Sequence, residues 1–582
     1  MIRTRLHDHP SIPRQISLLL VALTLAWISG ACSHQQDHAP EAEHHADSDT
    51  GDIAPTAQLG LTGTVVLSSS GEPLGTIHFP TSCSPEAQEH LEQGLALLHH
   101  MTYMQAEGSF RAAAEADPEC AIAFWGVAMT YAHPLWPDVV PPEKLTAGRE
   151  LLDQAANAAS TSEREQAYIE ALRGYYGAEG DDLAEIDRLN AYLAGWAAVH
   201  EAFPDDLEAA LFHALGLLGT APTTDKTYQN QRAAGAITEA VLVELPKHPG
   251  AHHYTIHAYD FPPLAEAALE TARSYDEVAP ENSHALHMTS HIFTRRGLWP
   301  ESITFNVRAE KAARDRTPSG MISMHRMHAL DYLAYAYLQQ ADDIEAEEVL
   351  EIMRGLEPPF HNHAATAYSF AAVPSRIALE RHAWDEAAAV EAGWPAEVSW
   401  DLYPHLLAIP HFAQAMGAAR TGDFVEAEAA IAELARLEEA AGKLPGAYDW
   451  AIQVEIQKLA AQAWLAYEHG DQEAALELMA EAAEKEAATE KNPVTPGEVL
   501  PARELYGDML LAAEDYAGAL REYEGALERS PNRFNSLFGA GRAAELASDE
   551  EAAAGYYRQL LEIAAEATGD RPELDHAREY IG

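Results

Sequence analysis

At 582 residues the chain exceeds what one hydrophobic core organises, so it is modular or repetitive. Its 91 acidic against 37 basic residues give a formal charge of -54, which argues against nucleic acid or anionic lipid as a partner, because both are held by basic patches. The same excess of carboxylates fits a solvated, aggregation-resistant surface.

The chain opens on the pattern of an export signal. Arg3, Arg5 and Arg14 precede an apolar run over residues 16–28 that ends in Ser29, Gly30, Ala31 and Cys32. That run is too short and too early for a transmembrane helix. A small-residue run ending in Cys resembles a bacterial lipobox, with Ser29 where Leu is usual, and implies lipidation at Cys32. The alternative is cleavage after Ala31 and release into the periplasm. The expected location is therefore outside the cytoplasm, periplasmic and lipid-anchored to a bacterial outer membrane, with Cys32 the only membrane contact.

Residues 33–60 are polar and acidic, carry His34, His38, His44 and His45, and lack the apolar content to pack. They read as a flexible tether, with loose metal binding by a histidine tract as the alternative. Residues 61–83 hold two β-rich runs separated by Ser and Gly, the signature of a short hairpin capping a larger array. With Cys32 lipidated, Cys83 and Cys120 are the remaining pair in an oxidising compartment, and a disulfide between them is expected; two buried free thiols are the alternative.

From residue 84 onward Ala, Leu and Glu dominate and Pro and Gly fall at segment ends, which predicts an all-α array. Within it His253 and His257 are followed by His287 and His291, each 34 positions downstream of its counterpart. Residues four apart share a helix face, and stacked repeats set equivalent helices side by side. The four imidazoles are expected to converge on one patch.

Gly94, Ala106, Phe110, Ala113 and Pro118 occupy the eighth, twentieth, twenty-fourth, twenty-seventh and thirty-second places of a 34-residue unit. Gly507, Ala519, Tyr523, Ala526 and Pro531 repeat that spacing, and Gly541, Ala553 and Tyr557 repeat it again. The chain thus resembles the tetratricopeptide repeat family. The runs AFWGVAMTYAHPLWP, HPGAHHYTIHAYDFPPLA and HALHMTSHIFTRRGLWPES further resemble a group of exported bacterial repeat proteins without assigned activity. The resemblance implies a tetratricopeptide-type α-solenoid, an N-terminal array over 84–400 and a C-terminal array over 401–582. Further hairpins are expected around 331–350, 412–434 and 463–482, with loops at HPLWPDVVPPEK and EPPFHNH.

In that family, places two, five, nine and twelve of the first helix line a concave groove. The resemblance puts His253, His257, His284, His287 and His291 there, joined by His328, Asp331 and Tyr335 if the next repeat is counted back from Ala346, or by His325 at strict spacing. Tyr254, Tyr259, Phe293 and Tyr332 accompany them. Imidazole is the common ligand of zinc, copper and nickel, so His253, His257, His287, His291, His328 and Asp331 are candidate metal ligands, with Asp260 to orient a ring. His133, Trp136, His213, His361 and His363 read as loop or groove contacts.

Zincin, hydrolase-elbow and phosphate-loop motifs are missing from the sequence, and any catalysis would be metal-assisted hydrolysis or redox chemistry at the histidines. The reading is an exported scaffold that binds a protein or peptide partner in a concave, histidine-lined groove. The alternative is a metal-binding protein or metalloenzyme using His253, His257, His287 and His291.

Overall fold

The computed structural model describes residues 63–582 apart from 137–139, 159–160, 317–319 and 447. The export signal, Cys32 and the histidine-bearing tether lie outside the described residues.

The fold is a tetratricopeptide-type array of antiparallel helical hairpins. Helix Pro85–His99 pairs with Tyr103–Ala116, Leu207–Gly219 with Gln229–Glu244, Ser283–Arg295 with Trp299–Arg316, and Met324–Gln339 with Asp343–Arg354. Further along, Pro404–Thr421 pairs with Phe424–Ala441, Trp450–Glu468 with Gln472–Ala488, and Ala502–Ala512 with Tyr516–Arg529. The segment expected as a loop at 357–363 lies between helices; of the one expected at 133–144, the described residues before Pro142 are non-helical, but residues 142–144 open the helix Pro142–Ala156.

The family spacing has a steric cause. A methyl group on Gly94 would come within 2.8 Å of the Phe110 ring, and one on Gly126 within 2.3 Å of the same ring. Gly507 stands in the same relation to Tyr523, and Gly541 to Tyr557. The aromatic of each second helix therefore wedges against a bare backbone, which only Gly leaves open.

The N-terminal strands β1 (Thr64–Leu67) and β2 (Pro73–Ile77) pair antiparallel with Val65 opposite Thr76. This hairpin does more than cap the first repeat. Thr76 donates its amide to the Lys247 carbonyl at 2.9 Å, and Gly75, at φ +105°, passes so close to Lys247 and Pro249 that a side chain there would collide with both. The strands thereby tie the first helix to the repeat that carries His253. Cys83 and Cys120 are joined as a disulfide, which fastens the segment before the first helix to the start of the next hairpin.

The described residues belong to one compact unit. Helix Phe534–Leu546 packs on Met324–Gln339, and the Trp299 indole donates to the Asn532 carbonyl at 2.8 Å. The C-terminal repeats thus fold back onto the repeats that hold the histidines. Among the described residues no helix is long and apolar enough to cross a membrane.

Candidate metal centre

Three consecutive first helices, Pro249–Tyr259, Ser283–Arg295 and Met324–Gln339, stand side by side and aim their imidazoles at one another. Their starts are set locally: His248 and Pro249 open the first, Asn282 caps the second through Ala285, and Ser323 caps the third through His325. His257 and His291 lie with ring centres 5.9 Å apart, His253 and His257 4.9 Å, and His287 and His328 4.1 Å. The expected patch forms.

Its tightest part is His287, His291 and His328, all buried, whose ring nitrogens lie within 4.8 Å of one another. The tautomers of His287 and His291 follow from their outer hydrogen bonds. The His291 Nδ1 meets Asp260 Oδ2 at 3.0 Å, and an ionised carboxylate only accepts, so Nδ1 carries the proton. Asn306 uses its Nδ2 on the Ser302 carbonyl, leaving Oδ1 to accept from His287 Nδ1 at 2.7 Å. Both Nε2 atoms are then lone pairs, and they face each other at 3.1 Å.

Two facing lone pairs repel unless something lies between them. A transition metal bound at about 2.0–2.1 Å to each nitrogen subtends about 100° across a 3.1 Å edge, between the octahedral and tetrahedral values. Burial, followed by the neighbouring imidazoles, holds His287 and His328 well below their ordinary pKa. Burial also lowers His291, against the pull of Asp260. All three are in the neutral form that ligates.

Asp260 is itself fixed by cations. Arg295 Nε donates to its Oδ1 at 2.8 Å and Lys491 Nζ to its Oδ2 at 3.2 Å. Burial pushes this carboxyl up, but Lys491 and Arg295 outweigh it and hold the group well below the usual range. A carboxylate behind a histidine is the arrangement that fixes ring orientation in metal sites.

The other candidate residues divide. His253 donates from Nδ1 to the His99 carbonyl at 2.5 Å, and its Nε2, like that of His257, is buried without a protein partner. His284 stands between His253 and His325, at 5.0 and 4.9 Å, with neither ring nitrogen partnered. Asp331 is not in the trio: its carboxylate pairs with Arg376, both fully buried. Tyr335 shares the His328 stripe but lies seven residues on, about 10 Å along the helix, against Trp299 and Arg533.

Three of the expected groove aromatics point elsewhere because the helix turns about 100° per residue. Tyr254 follows His253 directly and bonds His99 Nδ1 at 3.0 Å. Tyr259 and Phe293 each lie two residues past a histidine, and bond Glu239 and pack on Phe305 respectively.

Segment 489–501, a run of turns and bends, packs against the histidine helices and their neighbours: Tyr332 donates to the Thr495 carbonyl at 3.2 Å, Arg376 to the Gly497 carbonyl at 2.9 Å, and Tyr448 to the Glu490 carbonyl at 2.7 Å. Asn306, Arg295 and Lys491 went unnoticed in the sequence. Asn306 sits on a second helix and Lys491 lies 231 residues from Asp260, so no local spacing announces either.

A second buried group, His99, Glu208 and His248, has a different character. Glu208 accepts from His99 Nε2 at 2.6 Å and from His248 Nε2 at 2.9 Å. His248 Nδ1 accepts the amides of Gly250 and Ala251, and His99 Nδ1 meets the Tyr254 hydroxyl. Every ring nitrogen is committed within the protein, so this is a structural clasp between the first repeat and the histidine repeat.

Beside the histidine stack lies a cavity of about 1180 Å³, reached by Trp136, His325, His361, His363 and His405. Trp136 bridges the two, with its ring centre 5.6 Å from His284 and 5.0 Å from His363. His405 stacks on Trp450 at 4.2 Å, and burial alone pulls its pKa down to about 3. Because the unfolded imidazole gains its proton below about pH 6.5 while the folded one does not, the unfolded state binds more protons and stability falls as pH drops from 6.5 toward 3. At pH 5 this amounts to about 2 kcal/mol. His405→Phe keeps the ring on Trp450 and is expected to gain about 2 kcal/mol over the native chain on going from pH 7 to pH 5, read by urea unfolding at both. An equal difference at the two pH values would show that His405 is not held neutral.

No family model matches the chain, and no curated protein matches it. Among solved structures it is similar to human IFIT1 dimer with m7Gppp-AAAA, at 12% identity and a TM-score of 0.36 over 84% of this chain and 92% of that one. It is also similar to the APC/C hetero-tetramer Cut9-Hcn1, at 11% identity and a TM-score of 0.34 over 85% of this chain and 76% of that one. Likeness at that level says nothing about this chain's ligand.

Proposed function

We propose that the chain is a metal-binding helical-repeat protein whose centre is held by His287, His291 and His328. The observation that carries this reading is the pair of Nε2 lone pairs facing each other at 3.1 Å, each fixed by an outer acceptor on Nδ1. Zinc, copper or nickel suits an all-imidazole set. Three protein ligands leave a coordination position for water or substrate, as catalytic rather than structural metal sites do. Export, with anchoring at Cys32, completes the reading and is supported by the disulfide, which persists in oxidising compartments.

The test is elemental mass spectrometry on the dialysed full chain, made without a histidine tag, beside His287→Ala/His291→Ala. About one equivalent of metal in the native chain, lost in the variant, is the expected result. Equal metal in both would place it outside the trio, and none in either would remove the centre.

A second reading, a scaffold for a protein or peptide partner, draws on segment 489–501. Tyr332 and Arg376 hold this irregular stretch by its carbonyls, so the same donors suit the backbone of a partner peptide, which would have to displace it.

A further inference from the structure

The cavity beside the histidines has a wall chemistry of its own. Its faces are aromatic and apolar, with Tyr103, Tyr131, Trp136, Tyr403 and Trp450 contributing rings from separate parts of the chain. Among the described residues both cations that line it, Lys144 and Arg316, are already paired with carboxylates. Lys144 lies 3.7 Å over the Tyr131 ring and 3.7 Å from Glu107. Glu107 also holds Arg111 at 2.6 Å, and Arg316 pairs with Glu281 at 2.6 Å. An anionic ligand entering this space would lose its hydration and meet no uncompensated cation.

The volume is that of a site for a whole small molecule rather than for a few waters.

We propose that this cavity binds a flat, ring-bearing small molecule without negative charge. Stacking on the aromatic faces supplies the attraction, and the pairing of the wall's cations supplies the selection against anions. The site stands apart from the metal trio, none of whose three imidazoles reaches the cavity, and the proposal holds whether or not a metal is bound.

The experiment uses Nile red, which is neutral, planar and carbonyl-bearing, beside anilinonaphthalene sulfonate, which is planar and anionic. Both are titrated into the full chain with and without chelator and followed by fluorescence. Saturable one-to-one binding of Nile red, at least 10-fold tighter than the sulfonate and unchanged by chelator, is expected. Trp450→Ala should weaken Nile red at least 10-fold. Met104→Arg is the second variant, because Met104 lines the cavity yet is 54% exposed, so the fold tolerates the change. It should weaken Nile red and strengthen the sulfonate. Tighter binding of the sulfonate to the native chain, non-saturable uptake of Nile red, or indifference of Nile red to Met104→Arg in a folded protein would overturn the proposal. Loss of metal with retained Nile red binding would separate this site from the metal reading.

Discussion

Asp260→Asn is expected to weaken metal binding about 10- to 100-fold and to cost about 3–5 kcal/mol of stability. The carboxylate accepts from His291 and Lys491 on one oxygen and from Arg295 on the other. An amide has one acceptor and one donor end, so whichever way it turns, an N–H faces either Arg295 or the His291–Lys491 pair. If it faces His291, the ring changes tautomer and its Nε2 lone pair is lost. In either case Arg295 and Lys491, both buried, lose their countercharge. The comparison is Asp331→Asn, which removes an equally buried carboxylate from Arg376 but touches no imidazole of the trio. It should destabilise the fold while leaving the affinity of folded protein intact. Zinc titration of chelator-stripped protein, with urea unfolding on the same samples, reads both quantities. If the two variants bind zinc alike, the tautomer account of the centre fails.

How much of this was legible depends on what kind of signal each feature leaves. The hairpins were readable because Gly at place eight and an aromatic at place twenty-four meet within one repeat, so their cause lies within a short stretch of chain. The convergence of His253, His257, His287 and His291 was readable for the same reason, since a 34-residue period fixes which faces meet. Period alone did not say which imidazoles close on one point. His328 joins the trio while Asp331, three residues on and on the same stripe, is taken by Arg376 from helix Ala364–Glu380. Nor could spacing show that segment 489–501 packs against Tyr332 and Arg376, because that contact is made between residues more than 100 positions apart. Helix phase was the correctable error: Tyr254, Tyr259 and Phe293 sit one or two residues from histidines and therefore on other faces.

The return of the C-terminal repeats onto the histidine repeats rests on Arg533, and its removal carries the second large expected effect. Arg533 is fully buried. It holds Glu504 through two hydrogen bonds at 2.7 and 2.9 Å, lies 2.8 Å from Glu380, and reaches the Tyr335 hydroxyl at 3.3 Å. Glu504 further accepts from Ser536, and Asn535 donates to Glu380 at 3.1 Å. One guanidinium thus keeps two carboxylates, on helices Ala364–Glu380 and Ala502–Ala512, inside the core. Arg533→Met should cost about 3–5 kcal/mol at neutral pH, since it leaves both carboxylates buried without their cation. Burial already pushes Glu380 above its ordinary range, and without Arg533 the folded state would bind protons that the unfolded state does not. The loss should therefore shrink as pH falls toward 5. Adding Glu380→Gln and Glu504→Gln to Arg533→Met removes the buried charge and should recover most of the stability at pH 7, because an uncharged replacement of a whole buried ion cluster is often neutral. Urea unfolding of the single and triple variants at pH 7 and pH 5 separates these outcomes. A single variant as stable as the native chain, or a triple variant no better than the single, would show that the C-terminal repeats are held by their apolar contacts alone.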